Sequence, residues 1–574
     1  MNAHALSLAL LTASLSACAQ TAAVPAKEPA PASAQATKTS ALDAQVVYQF
    51  LLGEVAAQRG ELRLSAEAFA DLAAKTRDAR VARRATEVAM YARQSKLALR
   101  NAQLWQELEP DSVKARQTLA SLLVSSGKLD EAKPHLTAWI RASKPEQVFM
   151  QLHSMFARQT DKQRVVDLVA ELVALYPDLP EAQLALAQLA WQGGMGGKAL
   201  TVADEALRLR PGWPSAALFK AQVLQQKTGE PAAGEFFAEF LAQYPRAWEV
   251  RHAYAKHLAR TGQGEAADAA FAAVSAEVPD NPEPLVARGL LAMQADRLDA
   301  AAAHFSAAMQ LGYTEEGTLI YLLGQVDEAR GHIDAAAAHY RAVSGRQQMD
   351  AHLRLAAMLA KAGRLPEARA WLAQMRDSLS EGKSPHASAE RVSRIAQTEA
   401  QLLREARQHQ EAFAVLDSAL RSQPDNLELL YDRAMAAERL GRLDVLEKDL
   451  RRMIELKPDY AHAYNALGYT LADRTSRLTE AVSLLEKALN LAPEDPFILD
   501  SMGWALFKAK RYGESAQYLR RAHAARPDPD IAAHLGEVLW VMGERDEARR
   551  IWHSGLKADP ENESLRETLS RLSP

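Results

Sequence analysis

The 574-residue sequence is 48% hydrophobic and 24% charged, the balance of an ordinary folded chain with enough apolar material for a sizeable core. Its net charge of -4 gives no electrostatic reason for a polyanionic partner, so nucleic acid is not expected. A single cysteine, Cys18, excludes internal disulfides and cysteine-rich metal sites.

The chain opens with an uncharged run of apolar and small residues from Ala5 to Ala17. The run is too short to cross a bilayer as a mature helix and suits the apolar core of a secretory leader, although "MNAH" before it lacks Lys and Arg. Leu15, Ser16, Ala17 and Cys18 resemble the lipobox of bacterial lipoproteins, where the leader is cut before a cysteine that is then acylated. The resemblance implies a signal peptide over 1–17 and lipid attachment at Cys18. Several acyl chains on one residue hold firmly where one alone is marginal. Ala19 and Gln20 follow, with no Asp after the cysteine. By enterobacterial-type sorting rules, that implies the periplasmic face of the outer membrane. Residues 18–44 are rich in Ala, Pro, Thr and Ser; such a segment cannot bury a core and reads as a flexible tether.

The first helical pattern is "VVYQFLLGEVAAQRG". Val46, Val47, Phe50 and Leu51 present more apolar surface than one neighbouring repeat needs, which makes them docking candidates. Packing by the tether or the first repeat is the other reading. Residues 76–100 then carry seven cations, Arg80 and Arg84 among them, against Asp78 and Glu87. They form either a solvated helix face or a contact for an acidic partner or anionic lipid headgroups.

Prolines set a ruler along the rest. Pro177, Pro211, Pro245 and Pro279 lie 34 residues apart, and Pro424, Pro458, Pro493, Pro527 and Pro560 follow at 34, 35, 34 and 33. Other features repeat in phase. Gly468, Gly503 and Gly536 fall where two helices of one repeat approach closely. Gly127, Gly262, Gly331, Gly363, Gly441 and Gly543 fall at the turn after the first helix. An Ala-x-x-x-aromatic step recurs at Ala233/Phe237, Ala267/Phe271, Ala301/Phe305, Ala336/Tyr340 and Ala548/Trp552. The pattern resembles the tetratricopeptide (TPR) repeat in length and signature. An all-α solenoid of about fifteen helix-turn-helix repeats from Val46 to Asn562 follows. The resemblance implies a right-handed superhelix enclosing a long groove. Nine extra residues within "RDSLSEGKSPHASAERV", 376–392, predict a loop between an N-terminal array over 45–375 and a C-terminal array over 393–574. Leu565, Leu569 and Leu572 form a narrow stripe on a polar terminal helix, as a capping helix requires.

The search for chemistry is negative. "GGMGGKA", Gly193 to Ala199, spaces its glycines wrongly for a phosphate loop and lacks the hydroxyl residue, so it reads as an inter-helix turn. The fifteen histidines form no metal-ligand pattern, no nucleophile motif appears, and almost no non-repeat sequence remains to house a catalytic domain. No enzyme, metal or cofactor is expected. By phase, Phe497, Trp504, Phe507 and Trp540 face away from the second helices, toward the groove, where aromatics suit a peptide partner. Burial by adjacent repeats is the competing reading.

The first block, "VVYQFLLGEVAAQRGELRLSAEAFADLAAKTRDARVARRATEVAMYA", preceded by the lipobox and followed by the repeats, resembles a family of proteobacterial outer-membrane TPR lipoproteins. These act as adaptors for a periplasmic carboxyl-terminal processing protease. Membership implies a lipid-anchored scaffold that holds the protease and delivers peptidoglycan hydrolases to it. The alternative is a TPR scaffold for exopolysaccharide export or outer-membrane assembly.

Overall fold

The computed structural model describes residues 39–380 and 385–572. Over these residues the chain forms thirty-one α-helices and no strand. Cys18, the leader and most of the tether lie outside the described residues. The first helix, Thr39–Gln58, starts inside the stretch expected to be tether.

Two compact units meet in sequence at Thr261 and Gly262. The first ends with the helix Trp248–Arg260 and the second begins with Gly264–Glu277. Within each, most consecutive helices pair as hairpins, in the order the 34-residue ruler predicts. The unit beginning near residue 146 is irregular, because Pro145–Phe156 packs on Pro180–Gln192 in preference to its chain neighbour Lys162–Val173.

The ruler has a local cause. Each turn glycine the sequence singles out has positive φ, from 69° at Gly441 to 90° at Gly543. At Gly543 the first helix closes as a Schellman motif, with the Gly543 N–H donating to the Trp540 carbonyl and the Glu544 N–H to Leu539. Arg93, Asp296, Arg407 and Lys510 take the same left-handed conformation at turns that lack glycine. Lys510 and Arg511 repeat the Gly543 bonding pattern onto Phe507 and Leu506. The prolines of the ruler fall just past the second helices, where a missing N–H breaks no helical bond. "GGMGGKA" is the turn between Pro180–Gln192 and Gly196–Leu209, as expected.

Packing within a hairpin is set by a small residue on the first helix and a large one on the second. A Cβ on Gly536 would lie 2.1 Å from the Trp552 indole nitrogen; on Gly503 it would lie 2.5 Å from Leu519, and on Gly468 2.7 Å from Leu485. Phe69, Phe271, Phe305, Tyr340 and Trp552 are buried at the aromatic step, as their spacing requires. Gly289 against Phe305 and Gly324 against Tyr340 make the same contact at positions the sequence reading passed over.

The expected loop at 376–392 is mostly helix. Leu365–Ser380 runs for 16 residues and Pro385–Glu405 for 21, leaving only 381–384 outside the described residues. Pro385 stands first in its helix, where its fixed φ fits and its missing N–H costs nothing, and the residues after it are fair helix formers. The insertion therefore lengthens the second helix of one hairpin and the first helix of the next. In the last described helix, Glu563–Leu572, Leu565 is fully buried and Leu569 and Leu572 are partly buried against the preceding hairpin.

Gly536→Ala is expected to lower stability by about 1–3 kcal/mol, because the new methyl meets a fixed indole. Gly513→Ala, where a Cβ meets nothing within 4 Å, is expected to raise it by about 0.5–1 kcal/mol through helix propensity. Urea unfolding of the two variants beside the parent checks both signs.

Candidate partner-binding surfaces

The two surfaces expected from sequence lie in different units, one on the first hairpins and one on the last.

At the start, Thr39–Gln58 carries apolar residues around its whole circumference, a pattern that calls for burial on every side. One side is satisfied by its partner helix, Leu62–Thr76. There Phe50 meets Phe69 edge-on at 5.7 Å, and Gly53 lets the Phe69 ring approach so closely that a Cβ would sit 2.7 Å from it. The Ser65 hydroxyl donates to the Gly53 carbonyl at 2.7 Å. A second side faces Ala79–Tyr91, where Arg84 donates two bonds of 3.0 Å to Glu54. The remaining side is open: Val47 and Leu51 are each 55% exposed, and Tyr48 and Val55 stand beside them in helical phase. Val46 is half-buried against the core. Four candidates therefore divide, with Val47, Leu51 and part of Phe50 available and Val46 half-buried.

The two candidate arginines divide as well. Arg84 ties two first helices together and lies over the Phe69 ring, so its charge is engaged in the fold. Arg80 is exposed and turns back onto Asp78, the residue that caps Ala79–Tyr91. The Arg80 guanidinium holds the Asp78 carboxyl down at about 2.

At the other end, three first helices, Ala461–Arg474, Pro496–Lys508 and Pro529–Met542, bring their inner rows together. Trp504 is not open to a partner, being 8% exposed, and this corrects the expectation. Its ring stacks on His534 at 4.2 Å and on Phe507 at 5.2 Å, and its indole N–H donates to Asp473 at 3.1 Å. Lys508 lies over the Trp504 ring and also pairs with Asp473. His534 pairs with both oxygens of Asp500 at 3.0 Å, and Tyr469 comes within 6.3 Å of His534 from two hairpins away. Burial opposes the His534 charge, but Asp500, with Asp530 and Glu537 beyond it, outweighs that, and its pKa stands above the ordinary histidine range. Burial, followed by the fields of Asp473, Asp500 and Glu438, pushes the Tyr469 phenol up.

Of the four aromatics, Phe497 stays exposed beneath Arg526, and Phe507 is half-buried. Trp540 is half-buried on Trp552 with Arg545 and Arg549 over its face. Sequence reasoning missed Tyr469, Asp473, Asp500 and His534. Part of this was readable: Tyr469 and Trp504 each follow a close-approach glycine, so both occupy the same inner row. No spacing rule marks His534.

Among the described residues, no group of three or more metal-ligating side chains converges, and no helix is long and apolar enough to cross a membrane.

Hairpins stacked in sequence, with a small-residue seam inside each and polar and aromatic rows outside it, define a helical-repeat interaction scaffold. Two tetratricopeptide repeat models match, one over residues 321–382 and 398–445 and the other over 461–495. The chain is 30% identical over 530 residues to the TPR repeat-containing protein PA4667 of Pseudomonas aeruginosa, covering 92% of this chain and 88% of that protein. It belongs to that family of TPR repeat proteins. The TPR repeat-containing protein YpiA of Bacillus subtilis is 24% identical over 165 residues, 29% of this chain and 39% of YpiA. Among solved structures, a thermophilic TPR protein of Thermus thermophilus, TTC0263, is 22% identical with a TM-score of 0.29, over 32% of this chain and 98% of that one. A chain of the APC/C hetero-tetramer Cut9-Hcn1 is 14% identical with a TM-score of 0.32, over 93% of this chain and 98% of its own. TPR arrays serve mainly as protein-binding modules, and this chain is such a scaffold.

The His534–Asp500 pair gives a pH test. A folded pKa raised above the unfolded value contributes stability that is complete below about 6.5 and is lost as pH rises through the folded value. His534→Gln is therefore expected to cost most near pH 6, about 3 kcal/mol for a broken buried pair, and progressively less in alkaline solution. Denaturant melts of parent and variant across that range check the convergence.

Proposed function

We propose that this protein is a lipid-anchored adaptor on the periplasmic face of the outer membrane, without catalytic activity of its own. It brings a carboxyl-terminal processing protease together with cell-wall hydrolase substrates. The observation that carries the reading is the open apolar side of Thr39–Gln58. That helix lies in the block that resembles the protease-adaptor lipoproteins, and it follows the Cys18 tether directly. A terminal repeat normally turns a polar face outward. Here Leu565 of the last described helix is buried against the preceding hairpin, whereas the first helix leaves Val47, Tyr48, Leu51 and Val55 uncovered among the described residues. The long run of hairpins between the two ends supplies surface for a second protein, as an adaptor requires.

Adding the purified protein to such a protease is expected to raise cleavage of a peptidoglycan hydrolase. The pair Val47→Asp and Leu51→Asp should remove that stimulation at least tenfold, about 1.4 kcal/mol or more of docking energy, with unchanged thermal unfolding. A protease rate indifferent to the parent protein sinks the adaptor reading. In cells, Cys18→Ala should move the protein out of the membrane fraction; retention there overturns the lipid anchor.

A further inference from the structure

The inner row that Tyr469 and Trp504 fill at the C-terminal end is empty in the first of the two lengthened hairpins. Gln348–Lys361 is the first helix of its hairpin, and its fully buried Ala356 holds the close-approach position of Gly468 and Gly503. The next residue in the row is Ala357 where the later helices have Tyr469 and Trp504, and three residues on is Ala360 where Pro496–Lys508 has Phe507. With alanine at both places, a hollow of about 420 Å³ opens between this helix and Pro385–Glu405. Its lining is mainly apolar, with Ala357, Ala360, Leu365, Leu402 and Ala406 beside the polar Thr398 and Gln401. Its rim is charged with opposite signs on its two sides, Lys361 on one helix and Glu405 on the other. Among the described residues the Lys361 ammonium has no ion pair or hydrogen bond. Glu405 accepts only from its own neighbour Gln401, at 3.0 Å.

The volume lies within the range of built ligand pockets, and a mainly apolar lining with a few polar groups is their usual composition. Elsewhere in the same row the chain fills this place with its own aromatic rings, so the space is shaped for a side chain of that size. The dipolar rim selects what flanks it. A carboxylate beside the anchor meets Lys361, and a cation on its other flank meets Glu405.

We infer that this hollow is an anchor pocket for a protein segment that inserts one bulky apolar side chain between an acidic and a basic neighbour. The inference rests on the protein-binding reading and is independent of the protease-adaptor reading.

The probe is a fluorescein-labelled decapeptide with a central phenylalanine, two aspartates on one flank, two arginines on the other and glycine elsewhere. Titrated with the full chain and followed by anisotropy, it is expected to bind saturably in the range of about 10–300 µM. Replacing its phenylalanine by glycine should weaken binding at least tenfold, and so should Ala357→Trp, which fills the hollow. Ala357 is exposed, so the tryptophan does not intrude on the core, and Ala357→Ser is expected to bind like the parent. Lys361→Glu should shift preference to a peptide with arginine on both flanks, and Glu405→Lys to one with aspartate on both. No binding to the parent at 1 mM, or binding unchanged by Ala357→Trp, overturns the pocket. Hydrolase cleavage is followed with the same parent protein. No protease stimulation by the parent with saturable peptide binding counts against the adaptor reading alone, and no peptide binding by the parent with stimulation present counts against the pocket alone.

Discussion

Everything in this array depends on how closely the two helices of a hairpin approach. A glycine or alanine on the first helix admits a large side chain from the second, as Gly536 admits Trp552 and Gly503 admits Leu519. That contact sets the distance and rotation of the pair, and so decides which residues are left to face outward. Because hairpins stack one on the next, an error at the seam is passed along the stack. The small residue is therefore held strictly, while the positions around it vary from hairpin to hairpin.

The variable positions are where function can reside, and one inner row is used in two ways. In the last hairpins it is closed by the chain itself. Trp504 stacks on His534, Asp500 holds the imidazole, and Tyr469 reaches across from two hairpins away. A buried pair of this kind is a weak source of net stability and a good source of fixed geometry, since neither partner tolerates another arrangement. In the first lengthened hairpin the same row ends in alanines and stays open. The ends of the array differ in the same sense. The last hairpin is covered by a helix with one apolar stripe, whereas among the described residues the first helix keeps an uncovered apolar side.

Much of this was legible in the sequence because a repeat writes the same local rules many times. Proline after the second helix, glycine in the turn and an aromatic four residues after alanine each have a local cause. Each recurs in phase at Gly543, Ala548 and Trp552 as at Gly262, Ala267 and Phe271. The reading failed where the rule depends on chain flanking a breaker. Polar residues with one proline, 376–392, suggested a loop, yet proline at the first position of a helix begins it. It failed again at Trp504. Helical phase gave the direction of the ring correctly but could not show that His534, from the next hairpin, lies against it.

The sequence by itself determined an all-helical TPR array, its period, its turns, the apolar stripe of its last helix and the apolar character of its first. These rest on interactions between residues at most one repeat apart. Only the tertiary structure decided which outward-facing side chains are free. It engaged Arg84 with Glu54, buried Trp504, left Val47 and Leu51 open, and hollowed the row at Ala357. The physical reason is that exposure at these places is set by side chains from neighbouring hairpins, whose identities no periodic pattern prescribes.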